Sequence, residues 1–336
     1  MDEKVMNVNA ENMTAQNNYF TIDAVLLRVL LQDKTTKKNI MWCTSDYESY
    51  GEGYKKTDEI MPELISRDRA GLIRPRSAKA KEIQDQRIKD RAEVFTPSWI
   101  CNIQNNQIDN SWFERENVFN TTDGKRWIVN PEAIPFDAKK RRWKSYVKEN
   151  RLEITCGEAP YLVSRYDSTT GETIPLFERI GLFDRKMRVI NENCKNDDEW
   201  IDWSLRALKS IYGFEFQGDN LLIARLNLFF DYLDYYREKF KKDPDIIWQK
   251  KIANVIAWNL WQMDGLRFVV PYSCHETIEE SLQTVLIGES EETKIVPCPG
   301  CTSGDWFSHN GIYCRIFDWT NLKKSILFID VMRRKS

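Results

Sequence analysis

Between Asn196 and Asp264 the sequence alternates short apolar runs with amphipathic stretches of helical period, and no other feature narrows the possible folds as much. Asn196 followed by Glu199 forms a capping-box pattern with Asn in the capping position. Apolar residues recur at Trp200, Trp203, Ala207 and Ile211 along one helical face, and Gly213 is expected to end that helix. Phe214-Glu215-Phe216 reads as a short strand, and Gln217-Gly218-Asp219 as a turn into a second helix carrying Leu221, Ala224, Leu228, Tyr232, Tyr235 and Tyr236. Pro244 opens a third helix through Ile247, Ile252, Val255 and Ile256. Asn259-Leu260-Trp261-Gln262-Met263 is a further strand before Asp264-Gly265. Upstream, Leu152-Glu153-Ile154-Thr155 is a strand candidate, and Cys156-Gly157-Glu158-Ala159-Pro160 a turn leading into a helix. Strands alternating with helices imply an α/β fold with a doubly wound parallel sheet. Ligands of such sheets lie outside the carboxyl ends of the strands, which puts the strand ends near 155, 216 and 263 around one crevice.

The flanks are less regular. Residues 1–18 read as a loose, Asn-rich tail, and Tyr19 to Trp42 as an apolar stretch with a helix through Ala24-Val25-Leu26-Leu27 and Val29-Leu30-Leu31. Residues 44–57 are turn-like, with Gly51 and Gly53, and a basic helical segment follows. In Phe95-Thr96-Pro97-Ser98-Trp99-Ile100, Thr96 suits a helix N-cap and Pro97 the first helical position. Residues 114–150 read as an irregular charged connection. The chain thus divides into an N-terminal helical and basic region (1–91), an α/β domain (92–285) and a small C-terminal Cys/His module with a terminal strand (286–336).

At 336 residues, 42% of them hydrophobic, the chain is long enough for one substantial core plus a small module. Its 12 Trp, 13 Tyr and 16 Phe suit either core burial or stacking on purine rings. The 49 basic and 51 acidic residues nearly cancel, whereas a protein living on phosphate contacts is usually more basic. The basic residues are nevertheless clustered, in a run from Arg67 to Arg91 and in Lys139-Lys140-Arg141-Arg142 with Lys144. Each run is either a solvated helical face or a phosphate-facing patch. The polar N-terminus does not read as a signal peptide, and no apolar run approaches the ~20 residues that span a bilayer. A cytoplasmic location and no membrane partner are expected. The eight Cys are then thiols or metal ligands, not disulfides. Two His leave no plausible Ser-His-Asp set, and no phosphate-binding G-x4-G-K-[ST] loop occurs.

Three segments, in order over roughly residues 92–265, resemble the gamma-class N6-adenine DNA methyltransferases, including the modification subunits of restriction–modification systems. Val94-Phe95-Thr96-Pro97 is similar to that family's F-T-P motif. Glu153 to Leu162 is similar to its D-P-x-C-G-x-G-x-F-L cofactor loop, and Gly213-Phe214-Glu215 followed by Ala224-Arg225-Leu226-Asn227-Leu228 to its acidic strand end and A-R-x-N-L helix. The resemblance implies a Rossmann-like methyltransferase sheet that binds S-adenosyl-L-methionine through Phe95, Thr96, Pro97, Glu153, Cys156, Gly157, Ala159, Glu215, Phe216 and Asp264. The physical reasons agree. A small-residue turn lets backbone N–H groups approach the methionyl part of a cofactor, and an acidic strand end accepts from ribose hydroxyls. Asp264, in Asp264-Gly265-Leu266, is expected near the adenine amino group by analogy with the family's D-x-L element. Two departures stand out: Ala159 replaces the second glycine and is followed by Pro160, and residues 164–193 lengthen the path to Glu215.

A third departure concerns catalysis. The family's (D/N)-P-P-(Y/F) loop holds the flipped adenine's amino group and stacks on the base. That tetrapeptide is missing, the sequence contains no Pro-Pro pair, and no catalytic residue can be assigned. Ile326-Leu327-Phe328-Ile329-Asp330-Val331 is where the strand before the loop is expected. Either catalysis is absent or a partner chain supplies the missing half.

Cys298-x2-Cys301-x7-His309-x4-Cys314 is a second constellation, whose three thiols and one imidazole suit structural zinc in tetrahedral coordination, with unligated thiols as the alternative. The Cys274-His275 pair is set aside, because adjacent residues rarely ligate one metal. Trp258, Trp261 and the tyrosines of 232–236 are read as core residues. The leading expectation is therefore a subunit that binds S-adenosylmethionine and DNA and methylates adenine N6 only with a partner. The alternative is an inactive, zinc-containing DNA-binding or regulatory, anti-restriction protein on the same fold.

Overall fold

The strand candidates near 152, 214 and 260 do form one sheet. The computed structural model describes residues 22–79, 96–136, 142–279, 294–321 and 323–333. Within them, β3 (Arg151–Glu153), β4 (Ile211–Glu215) and β5 (Leu260–Gln262) pair in the order β3-β4-β5, all parallel. Glu153 lies opposite Gly213 and Glu215 opposite Gln262, so the acidic carboxyl ends of β3 and β4 are neighbours. Parallel neighbours need crossovers. Helices α4 (Leu182–Asn193) and α5 (Asp197–Leu208) connect β3 to β4, and α6 (Gly218–Phe240) and α7 (Ile246–Asn259) connect β4 to β5. The lengthening at 164–193 therefore holds a complete helix.

The helix signals act much as their chemistry requires. Asn196 caps α5 by accepting the Glu199 N–H at 2.9 Å, while the Glu199 carboxylate reaches back to the Lys195 N–H at 3.1 Å. Asp245 caps α7 through the Trp248 N–H, so the helix starts just after Pro244 and not at it. Helix α6 is buried almost all round over its first four turns, which makes it the central helix of the fold. Trp261 and Tyr232 are core residues, and Trp258 is half-buried.

Gly213 does not end a helix; α5 stops at Leu208 and Gly213 sits inside β4. Its small size serves packing, since a Cβ there would come 2.9 Å from Leu260 and 3.3 Å from the Cys156 sulfur. Thr96 is not a cap either. Pro97 occupies the cap of α2 (Ser98–Phe113), and the first helical N–H, that of Ser98, is taken by Asp167 at 2.7 Å.

The N-terminal region packs directly on this framework. Helix α1 (Ala24–Leu31) buries Leu26, Leu27, Leu30 and Leu31 in the same apolar core as α6 and α7. Arg225, fully buried on α6, fastens it by donating to the carbonyls of Leu30, Gln32, Ala257 and Leu260. In the described part of the expected basic helical segment, residues 62–64, 67–69 and 76–78 form short 3₁₀ turns, and its remainder, 80–91, lies outside the described residues. The connection at 114–150 is more ordered than expected. It contains a hairpin, β1 (Asn120–Asp123) with β2 (Arg126–Val129), and α3 (Trp143–Lys148), gathered around Phe113, Phe119, Phe136 and Tyr146.

Beyond β5 come the hairpin β6 (Thr277–Glu279) with β7 (Lys294–Val296), α8 (Pro299–Ser303), and the hairpin β8 (Arg315–Asp318) with β9 (Lys324–Leu327). The stretch 326–331 is split between β9 and α9 (Phe328–Arg333), and β9 pairs antiparallel with β8 and not with the parallel sheet. A second apolar cluster, including Phe214, Trp261, Phe268, Cys314 and Phe328, joins this region to β4 and β5.

Candidate functional site: a cavity at the sheet's carboxyl edge and a Cys/His cluster

A cavity of about 620 Å³ opens at the carboxyl ends of β3 and β4. Thr96, Glu153, Cys156, Gly157, Glu215 and Phe216 all line it, so segments far apart in sequence and each singled out for ligand chemistry converge there. Pro97 stands at the head of α2 outside the lining, and Phe95 lies outside the described residues. Ala159 is fully buried behind the cavity wall. Asp264 is not in the lining: it accepts the Leu266 N–H at 3.0 Å and lies 3.5 Å from Arg267, which makes it the anchor of its own turn.

The loop after β3 is built from unusual backbone. Thr155, Gly157 and Ala159 have φ of +45°, +54° and +63°, the left-handed region in which a glycine is free of strain. Glu215 holds the front of this loop, accepting the Gly157 N–H at 2.8 Å on one carboxylate oxygen and the Gln217 N–H at 3.1 Å on the other. From behind, Asn227 donates to the Glu158 carbonyl at 3.0 Å, and Tyr166 donates to the Glu158 carboxylate at 2.7 Å. Arg225 and Asn227 of the A-R-x-N-L segment are thus braces and not lining.

Two carboxyl groups, those of Glu153 and Glu215, line the cavity. Burial pushes the Glu153 carboxyl well above its usual range; the Tyr161 and Leu162 N–H groups pull it down, and the neighbouring Glu215 charge adds to the rise. Burial likewise raises the Cys43 and Cys156 thiols, with nearby carboxylates reinforcing it, so neither is a thiolate nucleophile. Lys56 brings a cation to the lining.

Several lining residues carried no sequence signal. Cys43, Thr44 and Ser45 come from the turn-like stretch, Gln217 and Asn220 from the start of α6, and Tyr272 from the loop after β5. Gln262 places the first group, donating to the carbonyls of Met41 and Phe216 and accepting the Met41 N–H, each at 2.8 Å.

The Cys/His cluster lies near the C-terminus. Ligand atoms of Cys274, Cys298, Cys301 and His309 lie within 4.8 Å of one another, and the three sulfurs are 3.6, 3.6 and 3.7 Å from His309 Nδ1. This corrects the expected set. Cys314 is buried in the second apolar cluster, where its thiol donates to the Gln262 carbonyl at 3.3 Å, and Cys274 takes its place. His275 is not part of the cluster. Two glycines let the segments close up: a Cβ on Gly300 would meet the His309 ring at 2.7 Å, and one on Gly311 would meet the Cys274 sulfur at 3.0 Å. Burial raises the Cys298 thiol, but N–H groups of Asn310 and Cys301, with His309 and Cys274, bring it down to about 6, and Cys274 is pushed up to about 12. Three sulfurs and an imidazole in such a glycine-lined cradle fit a metal ion.

The basic run from Arg67 is partly turned inward, since Lys79 pairs with buried Asp219 at 3.2 Å; residues 80–95 and 137–141 lie outside the described residues. None of the eight Cys is in a disulfide. Among the described residues no helix is long and apolar enough to cross a membrane. No protein-family model matches the chain, and no match is found among curated proteins or solved structures.

Proposed function

We propose that the chain is an S-adenosyl-L-methionine-binding, DNA adenine-N6 methyltransferase-like subunit of a restriction–modification system, whose base-binding loop comes from a partner chain. The observation that carries this reading is the convergence of Thr96, Glu153, Cys156, Gly157, Glu215 and Phe216 on one cavity at the carboxyl edge of a parallel sheet. Its volume of about 620 Å³ falls in the range of small-molecule sites. The strand order with helical crossovers supports reading β3-β4-β5 as part of a doubly wound, Rossmann-like sheet. In this reading Glu215 accepts from ribose hydroxyls and its charge favours a cationic ligand, and Phe216 flanks the adenine ring. DNA as methyl acceptor rests on the sequence resemblance. The Cys/His cluster is proposed to hold zinc in a structural role, since four protein ligands leave no open position.

One observation favours the alternative, a zinc-containing DNA-binding or regulatory protein without cofactor. Both Glu215 oxygens already accept backbone N–H groups, which gives the acid a structural use of its own. Equilibrium dialysis with labelled S-adenosylmethionine separates the two. The proposal expects saturable retention, weakened about tenfold or more, ~1.4 kcal/mol, by Glu215→Ala in protein that keeps its circular dichroism. It also expects no methyl transfer to DNA by this chain alone. Absence of retention supports the alternative, and robust methylation by this chain alone overturns the partner-loop proposal.

A further inference from the structure

Tyr272 lines the cavity yet belongs to none of the motifs. Its side chain is 46% exposed, its ring stands edge-on to Phe216 with centroids 5.8 Å apart, and Lys56 Nζ lies 5.8 Å from its centroid. The backbone at Tyr272 has φ +58°, a left-handed conformation that strains a residue with a Cβ. A strained, exposed aromatic ring at a cavity mouth needs something to hold it there, and strain of this kind gathers at ligand clamps.

The restraint follows directly in the chain. Ser273 Oγ donates to the Val270 carbonyl and accepts the Ile312 N–H, and Cys274 contributes its sulfur to the Cys/His cluster. The other three ligands, Cys298, Cys301 and His309, come from a separate segment. An ion in the cluster therefore ties the Tyr272 loop to the 298–309 segment, two residues from the ring that walls the cavity.

We propose that a metal ion bound by Cys274, Cys298, Cys301 and His309 fixes Tyr272 as an aromatic wall of the cavity, so that metal occupancy sets the affinity for a planar aromatic base packed against the edge-on Tyr272–Phe216 pair. The base is taken to be the adenine of S-adenosylmethionine, and that part rests on the functional reading above. The wall itself does not.

Two measurements on the full chain keep these apart. The first labels the tyrosines with fluorotyrosine, assigns the Tyr272 fluorine resonance by Tyr272→Phe, and extracts the metal with a chelator in the absence of any nucleoside. The inference expects that resonance to shift or broaden and to return when zinc is added back. A resonance that does not move overturns the inference, whatever the cavity binds. Cys301→Ala, which removes one exposed ligand, gives the same comparison should extraction unfold the module. The second titrates S-adenosylmethionine into metal-loaded and metal-extracted protein. Affinity is expected to fall about tenfold on extraction, to fall similarly in Tyr272→Ala, and to be indifferent to metal in that variant. Tyr272→Phe is expected to retain both affinity and metal dependence. If the resonance moves but no nucleoside binds, the functional reading and the identity of the stacked base are overturned while the metal-held wall stands. If affinity ignores the metal in the wild type, the coupling is overturned.

Discussion

Ala159 and Glu153 show how much of the cavity's character is decided by single side chains. Ala159 adopts φ +63° while fully buried, in the place where the resembled motif has glycine. Its left-handed backbone costs about 1–2 kcal/mol, but its buried methyl contributes roughly 0.8 kcal/mol and glycine would lose more freedom on folding. These terms nearly cancel. Ala159→Gly is therefore expected to leave the stability measured by urea denaturation within about 1 kcal/mol of wild type. A loss of ~3 kcal/mol would show that this backbone description is wrong. Glu153 carries a carboxyl that burial pushes well above the usual range. A carboxyl raised in the folded state binds its proton more tightly there than in the unfolded chain. The stability this contributes is complete below the ordinary carboxyl range and is lost as pH rises through the raised value. Glu153→Gln keeps a neutral side chain at every pH. Its stability relative to wild type is thus expected to improve steadily as pH rises above the ordinary carboxyl range, and a difference that stays flat with pH would contradict the account.

At the scale of elements, local chemistry was legible and long-range packing was not. Asn196 announces α5 because a cap is a contact between near neighbours in sequence, and Pro244 marks the start of α7 to within a residue of its cap, Asp245. The strand candidates around β3, β4 and β5 could be read because each is a short apolar run next to a turn. The hairpin β1–β2 was hidden by its content: Asn120-Thr121-Thr122-Asp123 exposes three of four residues and shows no apolar alternation. Gly213 was read as a helix stop because a glycine after an amphipathic run usually is one; its actual duty, clearance for Cys156 and Leu260, involves residues about fifty positions away on either side. Gly218 is the same kind of residue. It opens α6, its N–H donates to the Trp42 carbonyl at 2.9 Å, and a Cβ would fall 2.0 Å from the Met41 carbonyl oxygen. Gly218→Ala is expected to cost ~3 kcal/mol by pushing the 41–43 segment off the sheet. It should also weaken any ligand of the cavity, because Cys43, Thr44 and Ser45 move with that segment. A melting temperature equal to wild type would show that the two segments are not in register as described.

Across the whole molecule, one apolar core runs from Leu26 on α1 to Leu260 on β5, and a second cluster joins β4 and β5 to the C-terminal segments. The cavity lies where these parts meet, which is why lining residues such as Cys43, Asn220 and Tyr272 carried no signal in any local pattern. The Cys/His cluster teaches the same lesson. Cys298, Cys301 and His309 were legible by spacing, but the fourth member of the cluster is Cys274, 24 residues before Cys298, beyond the paired strands β6 and β7. Spacing counts along the chain favoured Cys314, whose thiol is spent in the core. The account's central claim is that the cavity at the ends of β3 and β4 is a site for S-adenosylmethionine. Its most direct test is a crystal structure of the metal-loaded chain grown with saturating S-adenosylmethionine. The account predicts ligand density in this cavity, with ribose hydroxyls within hydrogen-bonding distance of Glu215 and the adenine ring beside Phe216. Density at another place, or a cavity holding only water at saturation, would contradict it.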